Sequence, residues 1–280
     1  MIPPIASPLA GLERRLRTLT GSCGMHALGI ADMTPEPVQA AVAATGGRWL
    51  SAFPRAVSVV FRLQNAIVEE LPDHHREKAL ARLYEFHIYR VGNPHLDQVA
   101  TRIATEIQEA GYRAVPVPTS VAVDGGSGTG GFLGAVSHKM AAHLSGLGWI
   151  GRSCLLVTPD VGPRVRLATV MTDAPFAART PADAGCGRCR ICVRACPAQA
   201  FSGKAFDPAD PIEARMDVRA CEAYRQEAKT LTGVPMCGVC VAVCPHGKPG
   251  RRLTPPPAPP GAGRYRAPPP GPRGSRESPL

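Results

Sequence analysis

No run of about 18 uncharged apolar residues occurs in the 280-residue chain, so no membrane-spanning helix is expected. The opening MIPPIASPLAGLERRL lacks the apolar core that follows a basic start in a secretory leader, which points to a reducing, cytoplasmic setting and away from a disulfide framework. No internal repeat extends beyond the cysteine motifs described below. Acidic residues are scarce where basic ones gather: residues 251–280 hold six arginines against Glu277 alone. The same thirty positions contain ten prolines and four glycines, which deny helix and sheet their backbone hydrogen bonds and leave too little apolar surface for a core. A disordered tail is expected there, and it supplies +5 of the formal charge of +10. The basic balance is therefore weak grounds for nucleic-acid binding, and RNA binding with clusters kept for structure is the least favoured reading.

Against these absences stand ten cysteines. Eight fall into two sets, Cys186, Cys189, Cys192 and Cys196 before Pro197, then Cys221, Cys237, Cys240 and Cys244 before Pro245. CGRCRICVRACP has the form C-x2-C-x2-C-x3-C-P, in which three thiolates wrap one [4Fe-4S] cubane and the fourth reaches the other. The expected partition is Cys186, Cys189, Cys192 and Cys244 on one cluster, with Cys221, Cys237, Cys240 and Cys196 on the second. Structural zinc competes, because paired C-x-x-C knuckles also bind it, but zinc ribbons have no use for a third cysteine two residues on. Cys23 and Cys154 lie outside both motifs and read as small buried apolar residues.

Upstream the pattern mixes helix and strand. Helices are predicted over residues 9–19, 95–111 and 132–145, strands over 56–63 and 112–118, and a flexible glycine-rich loop over 123–131. In the second helix Leu96, Val99, Ile103 and Ile107 recur at three and four residues, behind Asn93-Pro94 and ahead of Gly111. LLVTP and RVRLATVMTD, divided by a turn at Asp160 to Pro163, read as a hairpin. Arg164 and Arg166 alternate and should face one side of that strand, as an anion site or as an edge-strand charge. The expected fold is an α/β or α+β N-terminal domain over residues 1–178, a small ferredoxin-like double [4Fe-4S] domain over 179–250 and the tail over 251–280. GLGWIG, Gly146 to Gly151, matches the dinucleotide fingerprint, yet a helix precedes it and a strand follows, the reverse of what a pyrophosphate site needs. Its glycines would let the backbone turn or lie against a flat ligand, with Trp149 beneath.

The stretch SGLGWIGRSCLLVTPDVGPRVRLATVMTDAP, followed by the two cysteine motifs, resembles the epoxyqueuosine reductase family and, more broadly, the corrinoid-dependent iron-sulfur reductases that include reductive dehalogenases. The resemblance implies a corrinoid-binding domain fed by two clusters, a strongly reduced cobalt that attacks an electrophilic carbon, and a nearby acid. It also implies an external electron donor of flavodoxin or ferredoxin type, and a small-molecule or modified-nucleoside substrate. Two departures bear on tRNA as substrate: Phe132 stands where tRNA-acting members carry an acidic residue, with Asp124 out of register, and the Pro-Arg tail stands in place of their helical-repeat extension. A shorter branch of the family fits better.

Under this resemblance Ser137, His138 and Lys139 are candidates for proton transfer or cofactor contact, with His143 one turn on. Gly146, Gly148, Trp149 and Gly151 are candidates for cofactor contact. His138 could donate near neutral pH without a large shift, whereas Lys139 would need desolvation, and neighbours about 100° apart on a helix cannot both face one ligand. A solvated polar face is the plain alternative. Tyr84, His87, Tyr89 and Arg90 are weaker candidates, better suited to packing. An electron carrier docking a partner enzyme is the alternative function, against which the size of the upstream region weighs.

Overall fold

The computed structural model describes residues 8–120, 134–182 and 184–248. The glycine-rich loop at 123–131, the start of the helix expected from 132 and the tail at 251–280 lie outside these residues. Four strands form the central sheet: β1 (Ala27–Asp32), β2 (Arg55–Arg62), β3 (Ala114–Val117) and β6 (Val165–Thr172). Their order is β1-β2-β6-β3 and every neighbouring pair is antiparallel, so the domain is α+β in kind.

Both faces of the sheet are covered, and the strand sequences show why. Leu28, Ile30, Val57, Val59, Ala168 and Val170 point to one side, where they pack with Leu12 and Leu16 of α1 (Pro8–Ser22) and with Leu96, Val99, Ile103 and Ile107 of α5 (Asn93–Glu109). Ala31, Ala56 and Met171 point to the other, against Val42 and Leu50 of α2 (Glu36–Ser51) and Ala141 of α6 (His138–Leu144). This is the period-two alternation of a strand with a helical layer on each side. The four periodic residues of α5 are at most 1 % exposed, as their spacing predicts.

A second layer joins the sheet to the cysteine region. α3 (Asn65–Val68), the 3-10 turn Leu71–Asp73, α4 (Lys78–Glu85) and the π-helical turn Phe86–Gly92 supply Val68, Leu71, Tyr84 and Ile88 to a core shared with Met236, Val241 and Ala242. Beyond it lie α7 (Ile191–Ala195), α8 (Val218–Thr232) and α9 (Val239–Ala242). Asp217 caps α8 by accepting the Ala220 N–H at 2.9 Å, and Gly233, at φ 84°, ends it in the left-handed conformation that glycine adopts without strain.

Three expectations change. The helix read from residue 132 begins at His138, because Ser137 is its N-cap and accepts the Met140 N–H. LLVTP and RVRLATVMTD do not pair with each other. β5 (Leu156–Val157) pairs with β4 (Trp149–Ile150) as a separate two-stranded piece, while β6 crosses to the centre of the main sheet. Only the bridge Thr158 to Gly162 remains of the expected hairpin. β1 and α2 were not foreseen. No helix among the described residues is long and apolar enough to cross a membrane.

Candidate iron-sulfur and reaction site

All ten cysteines are free thiols. Eight of them gather into two groups that mix the motifs. Burial first, and then the neighbouring Cys186 and Cys189, push the Cys192 thiol up to about 11. Cys244 is pushed to about 12 by burial and by Cys192, Cys186 and Cys189. Burial raises Cys221, with Cys196 adding the most among its neighbours, and lifts Cys237 to about 12 with help from Cys221 and Cys196. Cys240 rises well above the ordinary thiol value through burial, through Cys237, Cys196 and Cys221, and last through Cys192 of the first group. Thiols so placed resist ionising alone but become a ligand set once a cationic cluster supplies the charge. Among the described residues, no three His, Cys, Asp or Glu groups are disposed to hold a single metal ion. One tetrahedral zinc needs its sulfurs within about 2.3 Å of a common centre, whereas a cubane spreads them over its corners.

Short helices set this arrangement. Cys192 lies in α7 and Cys196 just past its end, Cys240 lies in α9 and Cys244 just beyond it, and α7 packs on α9. Cys196 Sγ accepts the Ala200 N–H at 3.4 Å, and Gly238, at φ 81°, bends the chain between Cys237 and Cys240. A Cβ there would lie 2.6 Å from the Tyr84 ring, so that tyrosine closes over the loop from the sheet side.

At the junction of sheet and cysteine region, Lys139 Nζ donates to the Cys154 carbonyl at 2.8 Å. Desolvation lowers the Lys139 pKa, with Cys154 and Cys240 opposing and Arg215 reinforcing. Arg215 is buried, donates to Cys154 Sγ at 3.8 Å and lies over the Phe206 ring. Cys154 holds φ 55°, unusual for a residue with a side chain, which turns its carbonyl toward Lys139.

His138 points elsewhere, as the helix geometry requires. Its Nε2 lies 3.1 Å from the Pro118 carbonyl and its Nδ1 2.8 Å from Thr169 Oγ1. A carbonyl can only accept, so Nε2 carries the proton and Nδ1 accepts from the threonine. Both nitrogens are thereby occupied and burial lowers the pKa, which removes the grounds for His138 as a proton donor. Ser137 is occupied as the helix cap. His87 accepts the Gln64 N–H, and Tyr84 is buried in the shared core, both packing roles.

The Gly146 to Gly151 segment links α6 to β4. Gly146 has φ 73°, and Gly148 lies so close to the Val157 carbonyl that no Cβ would fit. A Cβ on Gly151 would meet Cys186 Sγ at 3.4 Å, so this segment runs beside the first cysteine group. Trp149 packs edge-on against His246 at 4.9 Å, and its buried indole N–H has no partner. A cavity of about 420 Å³ opens here, lined by His143, Trp149, Arg152, Cys186 and Phe206. Arg152 is held by the Gly203 and Gly187 carbonyls, leaving its buried Nε–H unpaired.

Sequence reasoning missed Arg152 and Arg215 and misplaced Arg164. Arg164 is fully buried and bonded to Asn65 and Gly247, whereas Arg166 bonds Asn93 and Ser120 and lies over Tyr89. The two arginines meet different partners, and β6 is not an edge strand. Only the nearness of Arg164 to a turn rich in glycine and proline hinted at this.

Residues 185–247 match the family model of a 4Fe-4S double cluster binding domain. An epoxyqueuosine reductase of Listeria monocytogenes is 31 % identical over 125 residues, covering 41 % of this chain and 31 % of its own length. A tetrachloroethene reductive dehalogenase of Desulfitobacterium hafniense is 35 % identical over 167 residues, covering 54 % of this chain and 27 % of its own. The matched region thus spans about a third of these curated relatives. Among solved structures, a catabolic reductive dehalogenase in complex with 3-bromo-4-hydroxybenzoic acid superposes with a TM-score of 0.60 at 20 % identity, over 88 % of this chain and 33 % of that one. An epoxyqueuosine reductase with an epoxyqueuosine-modified tRNA stem loop gives 0.53 at 17 %, over 85 % and 66 %. The chain therefore carries a double [4Fe-4S] domain behind a sheet with the fold of the epoxyqueuosine reductases and reductive dehalogenases, and it resembles both.

Proposed function

We propose that this protein is an iron-sulfur oxidoreductase of the epoxyqueuosine reductase-like kind, which draws single electrons through two [4Fe-4S] clusters and spends them on an electrophilic substrate at a corrinoid. The observation that carries this reading is the sorting of the eight cysteines into two groups that cross the motifs, with the buried Lys139 of α6 near Cys240 of one of them. Cys186, Cys189, Cys192 and Cys244 would hold one cluster, and Cys196, Cys221, Cys237 and Cys240 the other. The electrons would come from a flavodoxin- or ferredoxin-type donor.

Corrinoid binding is supported by the chemistry of the cavity beside Cys186. Trp149 and Arg152 both line it and both carry buried N–H groups without partners, suited to the amide-rich rim of such a macrocycle. The glycines 146, 148 and 151 let backbone lie close to a flat group there. A solved reductive dehalogenase is described as supporting a B12-dependent mechanism. The corrinoid, when bound, supplies a reduced metal centre able to attack carbon.

Lys139 is the residue we assign to hold the proton for the departing group. Desolvation brings an ammonium toward the range where it can donate, and its one bond, to the Cys154 carbonyl, fixes Nζ without neutralising it. The substrate class is a small molecule or modified nucleoside bearing a carbon with a leaving group.

Anaerobic purification, reconstitution with iron, sulfide and cobalamin, and EPR test the proposal. About eight iron per chain with cluster signals on reduction, together with a bound Co(II) signal, is the expected result. Clusters without any cobalt binding would favour the electron-carrier reading, and a colourless chain holding zinc would overturn both.

A further inference from the structure

The turn from Asp160 to Arg164 lies hard against the chain that follows Cys244. A Cβ on Gly162 would collide with the His246 carbonyl, and one on Gly247 with Val161. Into this seam Arg164 inserts a side chain that is 0 % exposed. Its Nη1 donates to the Gly247 carbonyl at 3.1 Å and to Asn65 Oδ1 at 3.2 Å, and lies 3.7 Å from Glu69 Oε1. Its Nε and Nη2 are buried and have no partner.

A guanidinium carries five N–H donors, and leaving charged donors unpaired in the interior is among the larger penalties a fold can carry. Asn65 and the Gly247 carbonyl are neutral, and Glu69 is a single carboxylate on a partly exposed side chain. Burial works against the charged form of Arg164, and Glu69 and then Cys244, three residues before Gly247, favour it. Of the other cations near the cysteines, Arg215 and Lys139 are directed to Cys154, on the side of Cys240, Arg225 lies by Cys221 and Cys237, and Arg152 is tied to the Gly187 and Gly203 carbonyls.

We propose that Arg164 sets the reduction potential of the cluster held by Cys186, Cys189, Cys192 and Cys244, its fixed charge and its spare Nε and Nη2 donors serving the sulfur atoms of that cluster. This rests on the ligand reading given above. On reduction one electron enters the [4Fe-4S] core and its charge, thiolates included, goes from about −2 to about −3, with no bond made or broken and no proton moved. A buried positive charge favours the more negative state, so Arg164 raises the potential of this cluster. Arg164 is a positioning residue, acting on the cluster and not on substrate.

The test is an EPR-monitored titration with dithionite of the full chain, reconstituted anaerobically, in wild type, Arg164→Met and Glu69→Gln. Arg164→Met should disfavour reduction of one cluster at least tenfold, about 59 mV for one electron, and leave the second unmoved. Glu69→Gln, which takes away the partial countercharge, should move the same cluster in the opposite direction. If Arg164→Met does not fold, Glu69→Gln decides alone. A loaded protein in which Glu69→Gln moves neither potential overturns the role of Arg164 and leaves the ligand reading standing, whereas a wild type without iron removes both.

Discussion

His138 shows how burial settles a residue's chemistry. Desolvation lowers its pKa below the ordinary 6.5, outweighing the bond from Nε2 to the Pro118 carbonyl, which favours the charged ring. The unfolded chain takes up a proton at this position near 6.5 while the folded one does not until lower pH. Folding stability from this group is therefore complete above 6.5 and is lost as pH falls toward the folded value, with a slope of up to about 1.4 kcal/mol per pH unit. His74 and His87 are lowered by burial too and add to the same acid weakness. His138→Gln keeps a donor and an acceptor but cannot titrate. Thermal melts between about pH 7 and pH 5 should show the variant losing less stability than wild type. Equal losses would mean the histidine is not held as described. A neighbouring residue gives a simpler case: Ser137→Ala removes the cap of α6 and should lower stability by about 1 kcal/mol in a denaturant titration, since the Met140 N–H then lacks its acceptor.

Secondary elements were legible in proportion to how local their cause is. The helix α5 could be read because Leu96, Val99, Ile103 and Ile107 write its buried face directly into the sequence. The first cysteine motif stands out in the sequence because Cys186, Cys189 and Cys192 lie within seven residues, a spacing suited to a cubane. The place of β6 could not be read. Its partners are β2, with Phe61 opposite Arg166, and β3, with Val117 opposite Thr169, both remote in the chain. The following strand also looked like the natural partner of LLVTP. Arg164 was misread for a related reason, since charge suggests surface and nothing nearby in sequence announces the Gly247 carbonyl. The loop at Gly238 joins the two scales. Its φ of 81° and the Tyr84 ring 2.6 Å from a would-be Cβ make it intolerant of any side chain. Gly238→Ala should displace Cys237 and Cys240, so iron per chain should fall to about half of the loaded value while the sheet still melts cooperatively. Full iron loading in that variant would show the loop to be more yielding than its geometry indicates.

Across the whole molecule, two short helices pack on one another, and on the proposed ligand reading each passes its last cysteine to its neighbour's group. α7 leads to Cys196, whose charge acts on Cys221, Cys237 and Cys240, and α9 leads to Cys244, on which Cys186, Cys189 and Cys192 act. Neither motif would then build a cluster alone, and the module would fold as one piece, packed on α4 through Tyr84 and Met236. Single serine replacements can expose this exchange, because spectra should pair by spatial group and not by motif. Cys196→Ser and Cys240→Ser should each leave the same residual EPR signal with reduced iron, while Cys244→Ser and Cys186→Ser should each leave the other. If Cys196→Ser instead matched Cys186→Ser, the thiols would be partitioned by sequence order. The crossing that brings α7 against α9 would then be a packing contact without a role in holding iron.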